Sequence, residues 1–153
     1  MIQRIQTIYL LLATILCIGC LSTPIAHLLT IEGTETVDMY NLWLVSAEKE
    51  HMFYFCPVLM ALLVIATAVT FFDIWLYKRR TLQMRLATFS IILLVCWYIA
   101  YGIISRLLVA ELTASWRPHW TAALPAVALI LLCLAYRGIR HDEKLVRSLD
   151  RLR

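Results

Sequence analysis

Charged residues are scarce in this chain of 153 residues, where Lys, Arg, Asp and Glu together make up 16%. Soluble domains average about 25% charged and about 45–50% apolar residues. Here 62% of the residues are hydrophobic and the mean hydropathy is +0.79. A water-soluble fold of this length has too little interior to bury so many apolar side chains. The shortage of charge therefore excludes a soluble domain and favours a chain whose outer surface is solvated by lipid.

The common motifs of catalysis are missing as well. The sequence contains no glycine-rich phosphate loop, no His-Glu-x-x-His and no His/Cys cluster with the spacing of zinc ligands. No Ser–His–Asp arrangement is readable, and no single apolar stretch contains a pair of carboxylates. These absences predict no cofactor and no metal site, and they favour a non-enzymatic protein over an enzyme.

Long apolar stretches occupy most of the chain, at about 5–29, 52–77, 86–110 and 119–136. A helix needs about 20 residues to cross the hydrocarbon core of a bilayer, and the first three stretches are long enough. The fourth is shorter and carries Pro125. We predict one all-α membrane domain over residues 1–153, a four-helix bundle with a helical extension at 137–153.

The basic residues are distributed unevenly between the two sides of this bundle. Eleven Lys and Arg lie before the first span, in loop 77–86 and in the tail, against three on the other side, Lys49, Arg106 and Arg117. The positive-inside rule therefore places both termini in the cytoplasm. Termini on one side require an even number of spans, which supports counting the fourth stretch as a span. The formal charge of +4 reflects this asymmetry and does not indicate nucleic-acid binding. We expect a multi-pass membrane protein.

Proline interrupts the first apolar stretch near its outer end. Pro24 removes a backbone donor, so we predict a kink near Leu21, with the hydroxyls of Ser22 and Thr23 satisfying the freed carbonyls. We interpret this stretch as a retained span and not as a cleaved signal segment, since the apolar run continues past Cys20 and three more follow it.

For the two loops on the outer side we predict no regular secondary structure, with a short strand or hairpin in loop 30–50 as the alternative. Loop 30–50 is acidic, and the apolar character of 39–45 predicts that Tyr40 and Trp43 lie at the membrane boundary. Residues 116–120, in which two tryptophans flank Arg-Pro-His, are interpreted as a tight turn at the same boundary.

Polar and aromatic residues inside the spans are the default place to look for function. Asp73 lies near the inner end of the second span, and we expect it to form a salt bridge with Lys78, Arg79, Arg80 or the tail. An ion-coupling role for Asp73 would support a small-solute transporter, the first alternative function. Trp97, Tyr98 and Tyr101, midway along the third span, are interpreted as helix-packing residues.

Cys17 and Cys20 have the C-x-x-C spacing of a redox pair. A four-span bundle with such a pair resembles the quinone-linked disulfide-generating membrane oxidases, which gives the second alternative, a thiol or quinone oxidoreductase. Against it, the pair is expected near the middle of the bilayer, and loop 30–50 contains no cysteine to relay electrons. Apolar surroundings also suppress thiolate formation.

The two ends of the chain carry a resemblance to a known family. The start, MIQRIQTIYLL, and the end, IRHDEKLVRSLDRLR, are similar to those of small four-span bacterial inner-membrane proteins classed as a domain of unknown function. His141 stands where the family usually has a basic residue. The resemblance implies a fold and a location but no activity, substrate or catalytic residue.

Because the recognisable residues of that family lie at the cytoplasmic ends, the resemblance implies a docking element there. In the tail, Leu145, Val146, Leu149 and Leu152 fall on one helical face. We predict that the tail docks a membrane or cytoplasmic protein partner, or the anionic inner leaflet, through Arg140, Asp142, Glu143, Arg147, Asp150, Arg151 and Arg153. The alternative is that the tail is a solvated helix that only fixes the topology. The leading interpretation is a membrane component that acts through protein partners.

Overall fold

Four long helices account for most of the chain. The computed structural model describes residues 2–30, 36–46, 57–76 and 79–150. The helices are α1 (Ile2–Ser22), α2 (Pro57–Trp75), α3 (Arg80–Leu112) and α4 (Leu124–Asp150). Four helical segments are long and apolar enough to cross a membrane, namely Ile5–Ser22, Pro57–Trp75, Arg80–Glu111 and Trp120–Glu143, the last of which begins four residues before α4. The predicted all-α membrane bundle is therefore confirmed, with boundaries that differ from the predicted spans.

A small antiparallel sheet forms from the two outer loops and from residues 26–30, most of which were predicted to end the first span. Its strands are β1 (Ala26–Thr30), β2 (Thr36–Met39), β3 (Leu44–Ser46) and β4 (Ala114–Pro118), in the order β3-β2-β1-β4. The expectation of no regular structure in loop 30–50 is thus wrong, as is the tight turn at 116–120. A short 3-10 helix, Trp120–Ala123, joins β4 to α4.

The two ends of the bundle are chemically different. One end, which we call the terminal end, contains the first residues of α1, the α2–α3 turn and the last third of α4. These segments meet there through hydrogen bonds such as Gln6 to Asp142 and Arg80 to Asp142. The sheet covers the other end, which we call the sheet end, because β1 follows α1 directly and β4 follows α3. Helix α1 packs on α2 and α4, and α3 packs on the same two helices.

The side chains that face out of the bundle are as apolar as those that face in. Leu10, Leu63, Leu94 and Leu132 are buried, one from each helix, while the outer faces expose large hydrophobic residues, such as Ile8, Ile15, Phe72, Ile92 and Ile130. Water would penalise such a surface, whereas acyl chains solvate it without cost. This distribution is that of a bundle immersed in lipid.

Proline ends the first helix and does not kink it. Helix α1 stops at Ser22, and the chain continues past Pro24 into β1, because a proline ring cannot continue the helical hydrogen bonds. The predicted role of the hydroxyls is met only in part, because the carbonyl that Pro24 leaves without a helical donor is that of Cys20, and Asn41 donates to it. Ser22 Oγ donates to the Ile18 carbonyl at 3.2 Å and Thr23 Oγ1 to the Gly19 carbonyl at 2.8 Å.

A buried asparagine joins the sheet to the bundle. Asn41, in the β2–β3 turn, is fully buried. Its Nδ2 donates to the Cys20 carbonyl at 2.7 Å, and its Oδ1 accepts a hydrogen bond from Trp97 Nε1 at 3.1 Å. Trp97 is fully buried and stacks on Tyr101 at a ring-centroid distance of 5.3 Å. The predicted packing role of the mid-span aromatic residues is therefore confirmed.

Candidate functional site

Polar side chains from all four helices meet at the terminal end of the bundle. We call this set the terminal-end cluster, and its members are Gln6, Asp73, Arg80, Gln83 and Asp142. Gln6, Asp73, Gln83 and Asp142 are buried, and Arg80 is half-buried. Buried polar groups in a membrane bundle are expensive and commonly functional, so this cluster is the candidate site.

Gln6 and Asp142 form the closest contact of the cluster. Gln6 Nε2 donates to Asp142 Oδ2 at 2.8 Å, between residues 136 positions apart in sequence. Gly138 makes room for this contact, because a Cβ atom there would lie 3.1 Å from Gln6 Cγ and 3.2 Å from Gln6 Nε2. Arg80 also donates, from one guanidinium nitrogen, to the Asp142 backbone carbonyl at 3.3 Å. Helix α4 is thus held by α1 and α3 at the point where it leaves the bundle.

Asp73 lies in the same region but its carboxyl group is unpaired. The residue is fully buried, and neither carboxyl oxygen has a hydrogen-bond partner among the residues that the structure describes. The amide of Gln83 reaches only the Asp73 backbone carbonyl, at 3.4 Å. The predicted salt bridge is therefore not formed with Arg79 or Arg80, whereas Lys78 and the side chains of Lys144, Arg147, Arg151 and Arg153 in the tail lie outside the described part of the chain. A buried carboxyl without a partner costs free energy, which singles out Asp73 in this cluster.

The residues predicted to dock a partner divide into two groups. Arg140 is exposed, whereas Asp142 is buried and engaged by Gln6, and Glu143 is half-buried and has an interaction of its own. Asp142 therefore holds the tail in place and is not presented on its surface. Asp150 is the last helical residue of α4. The side chains of Arg147 and Asp150, and residues Arg151 and Arg153, lie outside the described part of the chain.

Gly138→Ala is expected to destabilise the fold, although alanine favours a helix by about 1 kcal/mol over glycine. The new methyl group displaces Gln6 from Asp142, and losing a hydrogen bond to a charged group costs about 1.5–3 kcal/mol. In thermal unfolding in detergent, the melting temperature of this variant should be lower than that of the matched Gly19→Ala variant. The added Cβ of that control lies at an ordinary 3.6 Å from Leu124. Equal stability of the two variants would contradict the role given to Gly138.

The C-x-x-C pair lies closer to the sheet end than expected. Cys20 is two residues from the end of α1, so the prediction that the pair sits near the middle of the bilayer is wrong. Cys17 and Cys20 are free thiols, 1% and 0% exposed. A partner thiol or quinone would have to displace core side chains to reach either sulfur, so the geometry does not favour the oxidoreductase alternative.

A second polar contact lies on the sheet. His27 Nδ1 and Asp38 Oδ1 are 2.6 Å apart across the β1–β2 register, and the ring of His119 meets that of His27 edge-on at a centroid distance of 4.9 Å. Over residues 2–30, 36–46, 57–76 and 79–150, no group of three or more His, Cys, Asp or Glu could hold a metal ion. We interpret the His27–Asp38 contact as a cross-strand pair of the sheet.

Fold and site together define a membrane four-helix bundle that carries a small antiparallel sheet at one end and a buried polar cluster at the other. The sequence profile of one family, described as Domain of unknown function (DUF4293), matches residues 2–152, and the chain belongs to that family. Comparison with curated proteins finds no match. The resemblance detected at the two ends of the sequence is thus confirmed as membership of a family of unknown function.

Proposed function

We propose that the protein is a non-enzymatic component of a bacterial inner membrane that acts through protein partners bound at its terminal end. The observation that carries the proposal is the form of α4, which is one uninterrupted helix from Leu124 to Asp150. It is held at Asp142 by Gln6 and Arg80, and eight further helical residues follow. At about 1.5 Å per residue, the bundle presents a charged helix about 12 Å long in a fixed direction.

The distribution of charge supports a cytoplasmic location for this helix. Contacts at the terminal end bring both ends of the chain and the α2–α3 turn to one side of the bundle. In the sequence, eleven of the fourteen Lys and Arg residues fall within residues 1–4, 77–86 and 137–153. An excess of basic residues in short segments next to the spans favours the cytoplasmic side.

The proposal predicts a protein contact at Arg140 that depends on the basic residues further along the helix. A photocrosslinking amino acid at Arg140, activated in intact membranes, should give one defined protein adduct by mass spectrometry. The double charge reversal Arg147→Glu with Arg151→Glu should reduce that adduct roughly tenfold, the loss of about 1.4 kcal/mol of binding free energy. The matched control reverses Arg117, an exposed arginine on β4 at the sheet end, and should leave the adduct unchanged.

Other adducts would decide against protein docking. A crosslink only to lipid would show that the helix lies on the anionic leaflet. A protein adduct whose yield is unchanged in the double variant Arg147→Glu with Arg151→Glu would show that the basic residues of the tail do not bind the partner. The transporter alternative depends on Asp73 and not on the tail. It would be favoured if solute uptake were lost in Asp73→Asn but retained in the tail variants.

A further inference from the structure

A cavity of about 480 Å³ lies at the sheet end, where α3 meets β4. It is lined by Tyr101, Gly102, Ser105, Arg106, Val109 and Trp116. The rings of Tyr101 and Trp116 form one wall, with centroids 6.2 Å apart and planes inclined by 55°. Small-molecule sites commonly have volumes of about 300–1,000 Å³, so the cavity has the size of a binding site.

The absence of a side chain at Gly102 leaves open space in this part of the cavity. A Cβ atom at Gly102 would meet nothing within 4 Å. Gly102 is exposed, and its helix neighbours Ile99 and Ile103 are 59% and 57% exposed on the apolar surface of α3. The opening of the cavity therefore faces the surrounding lipid and not the core of the bundle.

One charged residue, Arg106, lines this otherwise apolar cavity. It lies one helical turn after Gly102 and six residues before the end of α3 at Leu112, or about 9 Å along the axis. Arg106 forms no ion pair among the residues that the structure describes. The nearby Ser105 hydroxyl is buried and has no hydrogen-bond partner within the same residues. An unpaired guanidinium at this depth lies near the headgroups, where its planar donors match a phosphate.

An apolar cavity open to lipid, with a guanidinium beside it, is complementary to an anionic amphiphile. We propose that this cavity binds one anionic phospholipid of the surrounding leaflet, with part of an acyl chain against Tyr101, Val109 and Trp116 and the headgroup phosphate on Arg106. Charge complementarity selects an anionic lipid, because a zwitterionic headgroup carries its own cation beside the phosphate. The proposal requires neither the tail contact nor a particular orientation of the protein.

The test titrates the purified full chain with phosphatidylglycerol and with phosphatidylcholine of the same acyl chains, and counts retained lipids by native mass spectrometry. The wild-type protein should retain one phosphatidylglycerol in preference to phosphatidylcholine. Arg106→Gln should reduce that preference roughly tenfold, as expected for the loss of a charge-assisted hydrogen bond. Arg106→Lys should keep part of it. Arg117→Gln, which removes an exposed charge at the same end but outside the cavity, should keep all of it.

A second pair of variants tests the cavity itself. Gly102→Leu fills the space and should abolish retention of the lipid, whereas Ala110→Leu adds the same side chain at an exposed position of α3 outside the cavity and should not. Equal retention of the two lipids by the wild-type protein would overturn the proposal. So would an equal loss in Arg106→Gln and Arg117→Gln, or full retention in Gly102→Leu. If Arg106→Gln does not fold, the wild-type preference and the two leucine variants still decide the question.

Discussion

Asn41→Leu is expected to lower the free energy of unfolding by about 2–6 kcal/mol, the largest loss that we expect from one substitution in this chain. The amide of Asn41 satisfies two buried groups at once, the Cys20 carbonyl and the Trp97 indole N–H. Leucine is similar in size but offers neither a donor nor an acceptor. Each buried group that is left without a hydrogen-bond partner then costs about 1–3 kcal/mol. Chemical or thermal unfolding in detergent measures the difference.

The control for Asn41 is a hydrogen bond of the same sheet that water can replace. Ser115 Oγ donates to the Leu29 carbonyl at 3.4 Å in an exposed position, so Ser115→Ala should change stability by less than about 0.5 kcal/mol. Trp97→Phe removes one of the two contacts, and its effect should be strongly non-additive with that of Asn41→Leu. Additive effects would show that the two side chains are not coupled.

Asp73→Leu is expected to change stability in the opposite direction, with a gain of about 1–3 kcal/mol. The carboxyl of Asp73 is buried and neither of its oxygens has a partner among the described residues, so an apolar side chain of similar size removes a desolvation penalty. Proteins retain such unfavourable groups chiefly where function requires them. A gain in stability accompanied by a loss of biological activity would therefore assign a functional role to this carboxyl group.

Asp142 provides the matched control, since it is the other buried aspartate of the terminal-end cluster. Its carboxylate accepts a hydrogen bond from Gln6 at 2.8 Å, so Asp142→Leu leaves that amide without its partner and should destabilise the protein. The two substitutions, identical in chemistry, should thus have opposite signs in the same unfolding assay. A loss of stability in both variants would show that Asp73 has a partner in the folded protein.

The helices could be predicted from the sequence because hydropathy over about 20 residues is a strong signal. It indicated four helices, and the apolar residues on one face of the tail indicated the helical extension that α4 forms beyond its span. The boundaries were less accurate. Helix α3 begins at Arg80 and not at 86, because polar residues such as Gln83 are accommodated inside the terminal-end cluster.

The sheet was missed because its strands are too short to give a periodic signal. Thr36–Met39 alternates exposed and buried residues, but the strand has only four residues. Its partner β1 was hidden inside an apolar stretch that looks like the end of a membrane helix, and only Pro24 marks the change. Strand β4 pairs with β1 across more than 80 residues of sequence, a contact that local patterns do not encode.

The terminal-end cluster could be predicted only in part from the sequence, for a related reason. Asp73 stood out as a charge in an apolar run, but the absence of a partner for it among the described residues depends on how the helices pack. Gln6 and Asn41 were overlooked, although each is a lone amide in an apolar stretch, which is the signal that could have found them. Their partners, Asp142 and Trp97, are 136 and 56 residues away.

The central claim is that lipid surrounds this bundle, with the chain ends and the α2–α3 turn on one side and the sheet on the other. Single cysteines at Arg79, Arg140 and Ser115, all exposed, test it with a membrane-impermeant maleimide applied to intact cells. We expect labelling at position 115 without permeabilisation, and at positions 79 and 140 only after it. Labelling of 79 and 140 from opposite sides, or of 115 and 140 from the same side, would contradict the claim.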